Sequence, residues 1–555
     1  MNTYLDIFNK KADLLWEKLS EVDGAAVFGR FAAFVSVCDT EQRAYVFRAS
    51  ADSAESAWTK AREEAASFVS SEKLNPVWVK ADLTFKGEKV LFSELIKRIS
   101  KSLGQFFRRG ISFDEALETA FIEAELNGNN LINYKENTID LAAMNNYLAS
   151  CDLKTLLRFP EEVILFDCRS FFCDEKSAVY ELYSEGNNCG RRIIDRFDGE
   201  RALRVISTSA DYLAMQIGLD GKFDYGCYPT YPKTIPGYNI LRHAASIWCL
   251  LCSYRITGDK FIFQQAENAI KFMIRNAVYK YPQKENRLNT VYLVDKTRSE
   301  VKIGGNAVAI VVLTEYMNIT GDYKYERLAV ELGNGILELF DDRYGSFYHV
   351  LRYPSLAPRD KFRTVYYDGE TVFALCKLYG LTKKRRFLEA AQLAANRFIR
   401  KDYTAHSDHW VAYAMNELTK YLPQEKYLNF AMKNVQVNLK RIYNQATTYH
   451  TFLELLCVSF ETLMRIKSQG LKCGYLKELD EQFFVKTIFR RAEYMLNGYG
   501  YPEYVMYFHN PGSVLGAFFV RHDNFRTRID DVQHFCGAYY SLLRNYENLD
   551  ALREN

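Results

Sequence analysis

Between residues 238 and 545 the chain carries six nearly all-apolar helical runs, each entered through a cluster of polar side chains. The clusters are Tyr238-Asn239 with Arg242-His243, Gly304-Gly305-Asn306, Tyr366 to Glu370, Asp408-His409-Trp410, Thr448-Tyr449-His450, and Arg528 to Asp531 with Gln533-His534. A helix that is apolar all round must be buried on every side. Six such helices, each beginning with chemically useful groups, predict a ring of inner helices whose starts share one pocket.

A weak repeat supports the ring. Tyr254-Arg255-Ile256-Thr257-Gly258-Asp259 and Met317-Asn318-Ile319-Thr320-Gly321-Asp322 are one phrase, degraded at Tyr379 to Lys384 and again at Leu418 to Tyr421. The first three copies recur at about sixty residues, the length of two helices with their loops. In each, the apolar helix ends and an amphipathic one begins, as an outer helix packed on an inner ring requires. Outer helices are predicted near 200–217, 259–277, 322–340, 384–400, 425–442 and 477–497. Inner ones are predicted near 239–255, 305–319, 369–381, 409–421, 449–466 and 530–545. The fold class is therefore mainly α, an (α/α)6 toroid preceded by a smaller α/β domain. Long aromatic loops lead into inner helices at Phe223 to Gly237, Tyr279 to Ile303, Tyr344 to Tyr367 and Gly498 to Arg528. Long loops on one face and short turns on the other predict a face elaborated for binding.

The first part reads differently. Phe31 to Val37, Arg43 to Arg48 and Val77 to Leu83 are strand-like, and Ser53 to Val69 is an Ala-rich helix with Asp52 or Ser53 as N-cap. A small sheet with one covering helix fits residues 23 to about 85, and Val163 to Phe166 is another extended piece. The expected domains are 1–190, an accessory α/β region with a helical linker, and 191–555, the catalytic toroid.

Composition excludes several roles. The net charge of +3 is spread over well-mixed Lys, Arg, Asp and Glu, so nucleic acid has no electrostatic footprint. No run of uncharged apolar residues is long enough for a membrane span. Met1 to Leu19 has no apolar signal core, and twelve scattered cysteines without a CxxC pair read as reduced thiols, so a cytoplasmic location is expected. Histidines occur without HxH or HExxH spacing, so neither a metal nor a cofactor is expected. The oligomeric state is left open.

Several residue types at the helix starts carry chemistry. Glu370 and Asp408 begin consecutive inner helices and can straddle a glycosidic bond as acid and base. Capping alone also accounts for Asp408. Asp224 and Tyr225 sit on the first long loop, and Asp530 is expected to face the pocket. His243, His409, His450 and His534 all fall in opening turns, where imidazoles suit proton abstraction beside a carbonyl. Arg242 and Arg528 offer fixed charge for a carboxylate or phosphate. Tyr238, Tyr366, Tyr367 and Trp410 can stack on a sugar or donate hydroxyls. Asn239 and Asn306 can read sugar hydroxyls or cap their own helices.

The Tyr-Asn-x-x-Arg-His start at Tyr238, the Gly304-Gly305-Asn306 turn, the Tyr367-Asp368-Gly369-Glu370 start and the closing Arg528-Ile529-Asp530-Asp531-Val532-Gln533-His534 together resemble the six-hairpin carbohydrate-active enzymes. These include glycoside hydrolases, uronyl hydrolases and lyases, uronyl epimerases and the acylglucosamine 2-epimerase group. The resemblance covers about 350 residues and is architectural, so it carries no catalytic position with it. It implies a carbohydrate substrate, most simply a glycoside hydrolase acting on an oligo- or polysaccharide, with uronate possible, through a carboxylate pair. Two alternatives stand beside it: a sugar epimerase, isomerase or uronate lyase working through His and Tyr, and a non-catalytic glycan-binding protein with polysaccharide-assembly partners.

Overall fold

Asp198, Asn239, Asp259, Asp408 and Asp480 each accept a backbone N–H of the helix that follows, so five helix starts are fixed by the residue before them. At the opposite ends, Gly258 and Gly321 of the repeated phrase adopt φ of 66° and 70°, the left-handed conformation that closes a helix. Lys383 takes the same conformation at φ 57° in the degraded copy, with a Cβ that makes it costlier.

These details come from a computed structural model, which describes residues 3–22, 25–102, 106–281 and 288–553. Residues 282–287 of the expected loop from Tyr279 to Ile303 lie outside the described residues. The chain divides into two compact units, Met1–Arg196 with Cys227–Thr234 and Asn497–Thr527, and Phe197–Gly226 with Ile235–Leu496 and Arg528–Asn555. Two stretches expected on the toroid side of the cut after residue 190, Cys227–Thr234 and Asn497–Thr527, group with the first unit.

In the first unit, strands Tyr45–Ala51, Phe31–Cys38, Trp78–Leu91, Glu162–Cys173, Gly110–Ser112 and Ala120–Phe121 lie side by side in that order, all antiparallel. The extended piece expected at Val163 to Phe166 is part of its long fourth strand. Two helices rather than one cover the sheet: Phe8 and Leu15 of Thr3–Ser20, and Trp58 and Val69 of Ala54–Glu72, pack with Val35, Val79 and Phe171. The segment 497–527 is tied in by a Glu503–Arg192 ion pair at 2.6 Å and a Tyr507–Ser36 hydroxyl contact at 2.8 Å. Both pairs are removed from solvent, so the segment is a structural part of this unit.

The second unit is the toroid. Its inner helices are Ile240–Thr257, Ile303–Thr320, Tyr366–Thr382, His409–Tyr421, Thr451–Ser468 and Ile529–Arg544. Each packs on the next, and the sixth packs back on the first, which closes the ring. The outer helices are Gly199–Met215, Lys260–Ala277, Glu326–Glu338, Arg385–Arg400, Glu425–Gln436 and Glu481–Met495. Every residue from Ile303 to Met317 is buried, as an inner helix apolar on all faces requires. The fifth outer helix, expected to reach 442, breaks after Gln436 and resumes as Leu439–Tyr443. Asn438 sits in the break, its amide nitrogen bonding the carbonyls of Thr404 and Asn434 in competition with the helical ladder. The long loops before the second and third inner helices are not irregular: strands Val278–Lys280, Val291–Asp295, Glu300–Lys302, Val350–Arg352 and Pro358–Asp360 form one antiparallel sheet.

The C-terminal ends of the inner helices are joined by polar bonds. Glu315 takes Arg255 at 3.2 Å from the first inner helix and Lys377 at 3.2 Å from the third. Glu461 of the fifth takes Asn416 of the fourth at 2.9 Å and Arg544 of the sixth at 3.6 Å.

Candidate active site

On a helix, residues four apart share a face. Three such pairs meet at the N-terminal end of the ring: His409 and Tyr413 on the fourth inner helix, His450 and Glu454 at the start of the fifth, and Asp530 and His534 on the sixth. His534 donates Nδ1–H to Glu454 Oε2 at 2.8 Å, and the Tyr413 hydroxyl donates to the other Glu454 oxygen at 3.2 Å. His409 Nε2 lies 3.7 Å from Glu454 Oε2, with its ring edge-on to His534 at 5.0 Å between centroids. The His450 ring lies flat on that of His534, 4.7 Å away and 2° from parallel, with its Nε2 3.7 Å from Asp531.

The other leaders extend this cluster around the ring. Arg242 of the first inner helix pairs with Asp530 at 3.1 Å and donates to the Tyr225 hydroxyl. Arg528 bonds Asp530 at 3.1 Å and Asp531 at 3.2 Å. Tyr366 of the third sets its ring 5.7 Å from His409 and its hydroxyl 3.3 Å from that of Tyr449. Glu370 lies against the second: a Cβ placed on Gly304 would stand 2.0 Å from its Oε2, so only glycine permits this approach. The side chains of His534, His450 and Arg242 are 16%, 18% and 30% exposed and Tyr449 is 40% exposed, so these are the members a ligand meets first.

Electrostatics separates the imidazoles. Burial opposes charge on His534, but the Glu454 carboxylate together with Asp530 and Asp531 outweighs it and raises the affinity for a proton. Glu454 is itself raised, chiefly by burial, against the pull of the His534 charge. His450 falls to about 4 because burial outweighs the attraction of the nearby Asp531 carboxylate. His409 falls well below the ordinary imidazole range through burial and then the neighbouring His534 and His450. Neither nitrogen of His409 has a hydrogen-bond partner among the described residues, and His450 Nδ1, Asp530 Oδ1 and both amide atoms of Gln533 are likewise unpartnered. Buried polar atoms left unpaired are costly, so their concentration here makes this a candidate place for a polar ligand. Among the described residues, one group has the composition and spacing to hold a metal ion: ligand atoms of His409, Glu454 and His534, all within 4.8 Å of one another.

Other residues singled out from the sequence fall elsewhere. His243 is fully buried, with Nδ1 bonded to the Tyr238 hydroxyl and Nε2 donating to the Ala269 carbonyl at 2.9 Å. Both its nitrogens are occupied, so it serves packing against the second outer helix, and Tyr238 is its partner. Asn306 spends its amide on the backbone of Leu293 and Lys302. Asn239 caps its helix at Leu241, and Asp224 is exposed on its loop. Trp410 is 3% exposed and stacks on Trp248, while Tyr367 packs against His349.

Asp408 is wholly buried and caps the fourth inner helix at Trp410 N, 2.9 Å away. Burial pushes its carboxyl up to about 7 despite that bond. Glu370 is raised well above the carboxylate range, by burial and then by the Asp408 charge. Each keeps one unpartnered oxygen, Glu370 Oε2 and Asp408 Oδ2. The site also contains two residues that the sequence reading passed over, Glu454 and Tyr413, beside Tyr449 and Gln533, which it named within the helix-leading clusters without giving them a role. Their signal is the four-residue step from His450 to Glu454, which repeats from Asp530 to His534.

No family model matches the chain, and no curated protein matches it. Solved structures do. Cellobiose 2-epimerase from Spirochaeta thermophila matches at 12% identity, covering 63% of this chain and 98% of that one, with a TM-score of 0.47. Unsaturated glucuronyl hydrolase from Bacillus sp. GL1 matches at 12% identity, covering 63% and 97%, with a TM-score of 0.46. An alpha-1,6-mannanase from Salegentibacter sp. matches at 13% identity, covering 62% and 99%, with a TM-score of 0.43. All three are six-hairpin toroid enzymes, and their activities differ from one another.

Proposed function

We propose that this chain is a carbohydrate-active enzyme of the isomerase or epimerase kind, which moves a proton on the carbon beside a sugar carbonyl. One observation carries the reading. Two imidazoles lie face to face at the partly exposed end of the ring, and one of them is anchored through Nδ1 to a buried carboxylate. Anchoring Nδ1 fixes the ring and its tautomer and leaves Nε2 of His534 as the working nitrogen. Side-by-side groups whose proton affinities are driven apart are suited to opposite roles in one reaction.

In the neutral form, an imidazole takes the proton from the carbon next to the carbonyl. The bonding electrons move onto the carbonyl oxygen as an enediolate, and a protonated imidazole or a Tyr366 or Tyr449 hydroxyl stabilises that oxygen. Delivery of a solvent-exchangeable proton from the second imidazole to the opposite face of the same carbon gives the epimer. Delivering it to the neighbouring carbon, while the hydroxyl on the first carbon passes its proton to the former carbonyl oxygen, gives the aldose–ketose isomer. Neither route needs an oxidant or a cofactor. Both Arg242 and Arg528 are committed to Asp530 and Asp531, which favours a neutral sugar over a uronate.

The test is solvent exchange. Reducing mono- and disaccharides incubated with the protein in deuterium oxide are expected to gain deuterium at the carbon beside the carbonyl, read by proton magnetic resonance. Loss of that signal in His534→Gln and His450→Gln supports the assignment. A wild-type protein that turns over a sugar without exchange would exclude it.

Glycoside hydrolysis is the second reading. It is favoured by the unpartnered oxygens of Glu370 and Asp408 and by proton affinities raised toward those of a general acid. It is disfavoured by the burial of both groups and by the use of Asp408 as a cap.

A further inference from the structure

We infer that His409, Glu454 and His534 form a binding site for a divalent transition ion of the zinc class. Two imidazoles and one carboxylate are an established ligand set for zinc with an open fourth position. Bond lengths near 2.1 Å put the ligands of a tetrahedral ion about 3.4 Å apart. Here Nδ1 of His534 and Nε2 of His409 lie 2.8 Å and 3.7 Å from Glu454 Oε2, and the three atoms fall within 4.8 Å of one another. Side-chain adjustments of about an ångström bring all three onto one ion.

The second, independent observation is His409. It is 2% exposed, its two nitrogens have no hydrogen-bond partner among the described residues, and its Nε2 faces the carboxylate. The proton between His534 and Glu454 satisfies those two groups but leaves His409 unsatisfied. An ion in the same place satisfies all three. Glu454 in turn is oriented by the Tyr413 hydroxyl, the kind of outer partner that metal-ligating carboxylates keep.

Binding the ion displaces the proton that the His534–Glu454 pair holds, which is ordinary for a site built from protonatable ligands. If the exchange chemistry proposed above is correct, the ion occupies the same imidazole and blocks it. This last consequence rests on that reading; the binding itself does not.

The experiment uses the full chain, freed of metal by chelation and titrated with Co(II), whose visible absorption reports tetrahedral nitrogen–oxygen ligation, and with Zn(II) by equilibrium dialysis. One equivalent is expected to bind, and affinity is expected to fall at least tenfold in His409→Gln and in Glu454→Gln, with Tyr449→Phe unchanged. His409→Gln is the more decisive variant because it removes no hydrogen bond, and circular dichroism checks its fold. No stoichiometric binding, or unchanged binding in folded His409→Gln, would overturn the site. In parallel, Zn(II) is expected to suppress deuterium exchange. Binding with unaltered or accelerated exchange would keep the metal site and overturn the histidine-base reading instead.

Discussion

His534 and Glu454 stand eighty positions apart in sequence and share a proton at 2.8 Å across the fifth and sixth inner helices. The carboxylate is 1% exposed and the imidazole 16%, so a buried charge supports a group that meets the ligand. Replacing Glu454 with Gln keeps the shape and removes the charge. Positioned acid–base groups contribute about 10²–10⁴-fold. The variant is therefore expected to lose about a hundredfold or more in exchange rate, with the loss in kcat rather than KM. Glu370→Gln is expected to leave the exchange rate within about a factor of three. A collapse of turnover in that variant with Glu454→Gln unaffected would transfer the chemistry to the carboxylate pair.

Arg242 joins the first inner helix to the sixth through Asp530, closing the ring at the site. Arg242→Met leaves a largely buried carboxylate with only Arg528 as a charged partner. Stranding a buried acceptor costs about 1–3 kcal/mol, and the partial exposure of Arg242 places this change toward the lower end. Urea denaturation should show a lower midpoint, and Arg242→Lys should recover less than half of the loss because ammonium cannot reproduce the two-armed contact. An unchanged midpoint in Arg242→Met would mean that the pair does not hold the ring closed.

Lys383 is strained where the equivalent repeat positions carry Gly258 and Gly321. A left-handed residue with a Cβ costs about 1 kcal/mol relative to glycine. Part of that gain is offset because glycine has more freedom to lose on folding. Lys383→Gly is expected to stabilise the protein by about 0.5 kcal/mol, a shift small enough to need chemical rather than thermal denaturation. Destabilisation instead would show that the cation contacts of Lys383 with the Tyr379 and Tyr421 rings outweigh the strain.

His243 makes stability depend on pH. Burial lowers it from 6.5 to about 4 in the folded chain. Between those values the unfolded chain binds a proton that the folded chain excludes, so stability is full above about pH 6.5 and falls as pH drops toward 4. The whole shift corresponds to about 3 kcal/mol. Denaturant midpoints measured across that window should decline, and His243→Gln should flatten the decline while lowering stability at neutral pH. An equal slope in the variant would assign the acid sensitivity to other groups.

Much of the architecture was legible because helix periodicity is local. The run from Ile303 to Met317 has no polar face, and that alone requires burial on all sides. The Thr-Gly-Asp phrase marks one helix end and the next start because glycine and aspartate act on backbone groups within a few residues. Asn438, by contrast, breaks the fifth outer helix through a bond to Thr404, more than thirty positions away, which no window of sequence reveals. The attachment of 497–527 to the α/β unit was hidden for the same reason, since Ser36 and Arg192 are distant in sequence from Tyr507 and Glu503.

The candidate site divides along the same line. Sequence by itself determined that six inner helices begin with hydrophilic leaders and that His409, His450 and His534 lie in opening turns, because turn chemistry and spacing are short-range properties. It could not separate His243, which also lies near the start of its helix but turns to the Ala269 carbonyl of an outer neighbour. Nor could it find Glu454, which reads as one more acid on a helix. Only tertiary structure decided which nitrogen meets which oxygen, because His409, Glu454 and His534 come from three helices and no HxH or HExxH spacing joins them. Closure of the ring fixes those distances, and with them which protons each group can hold.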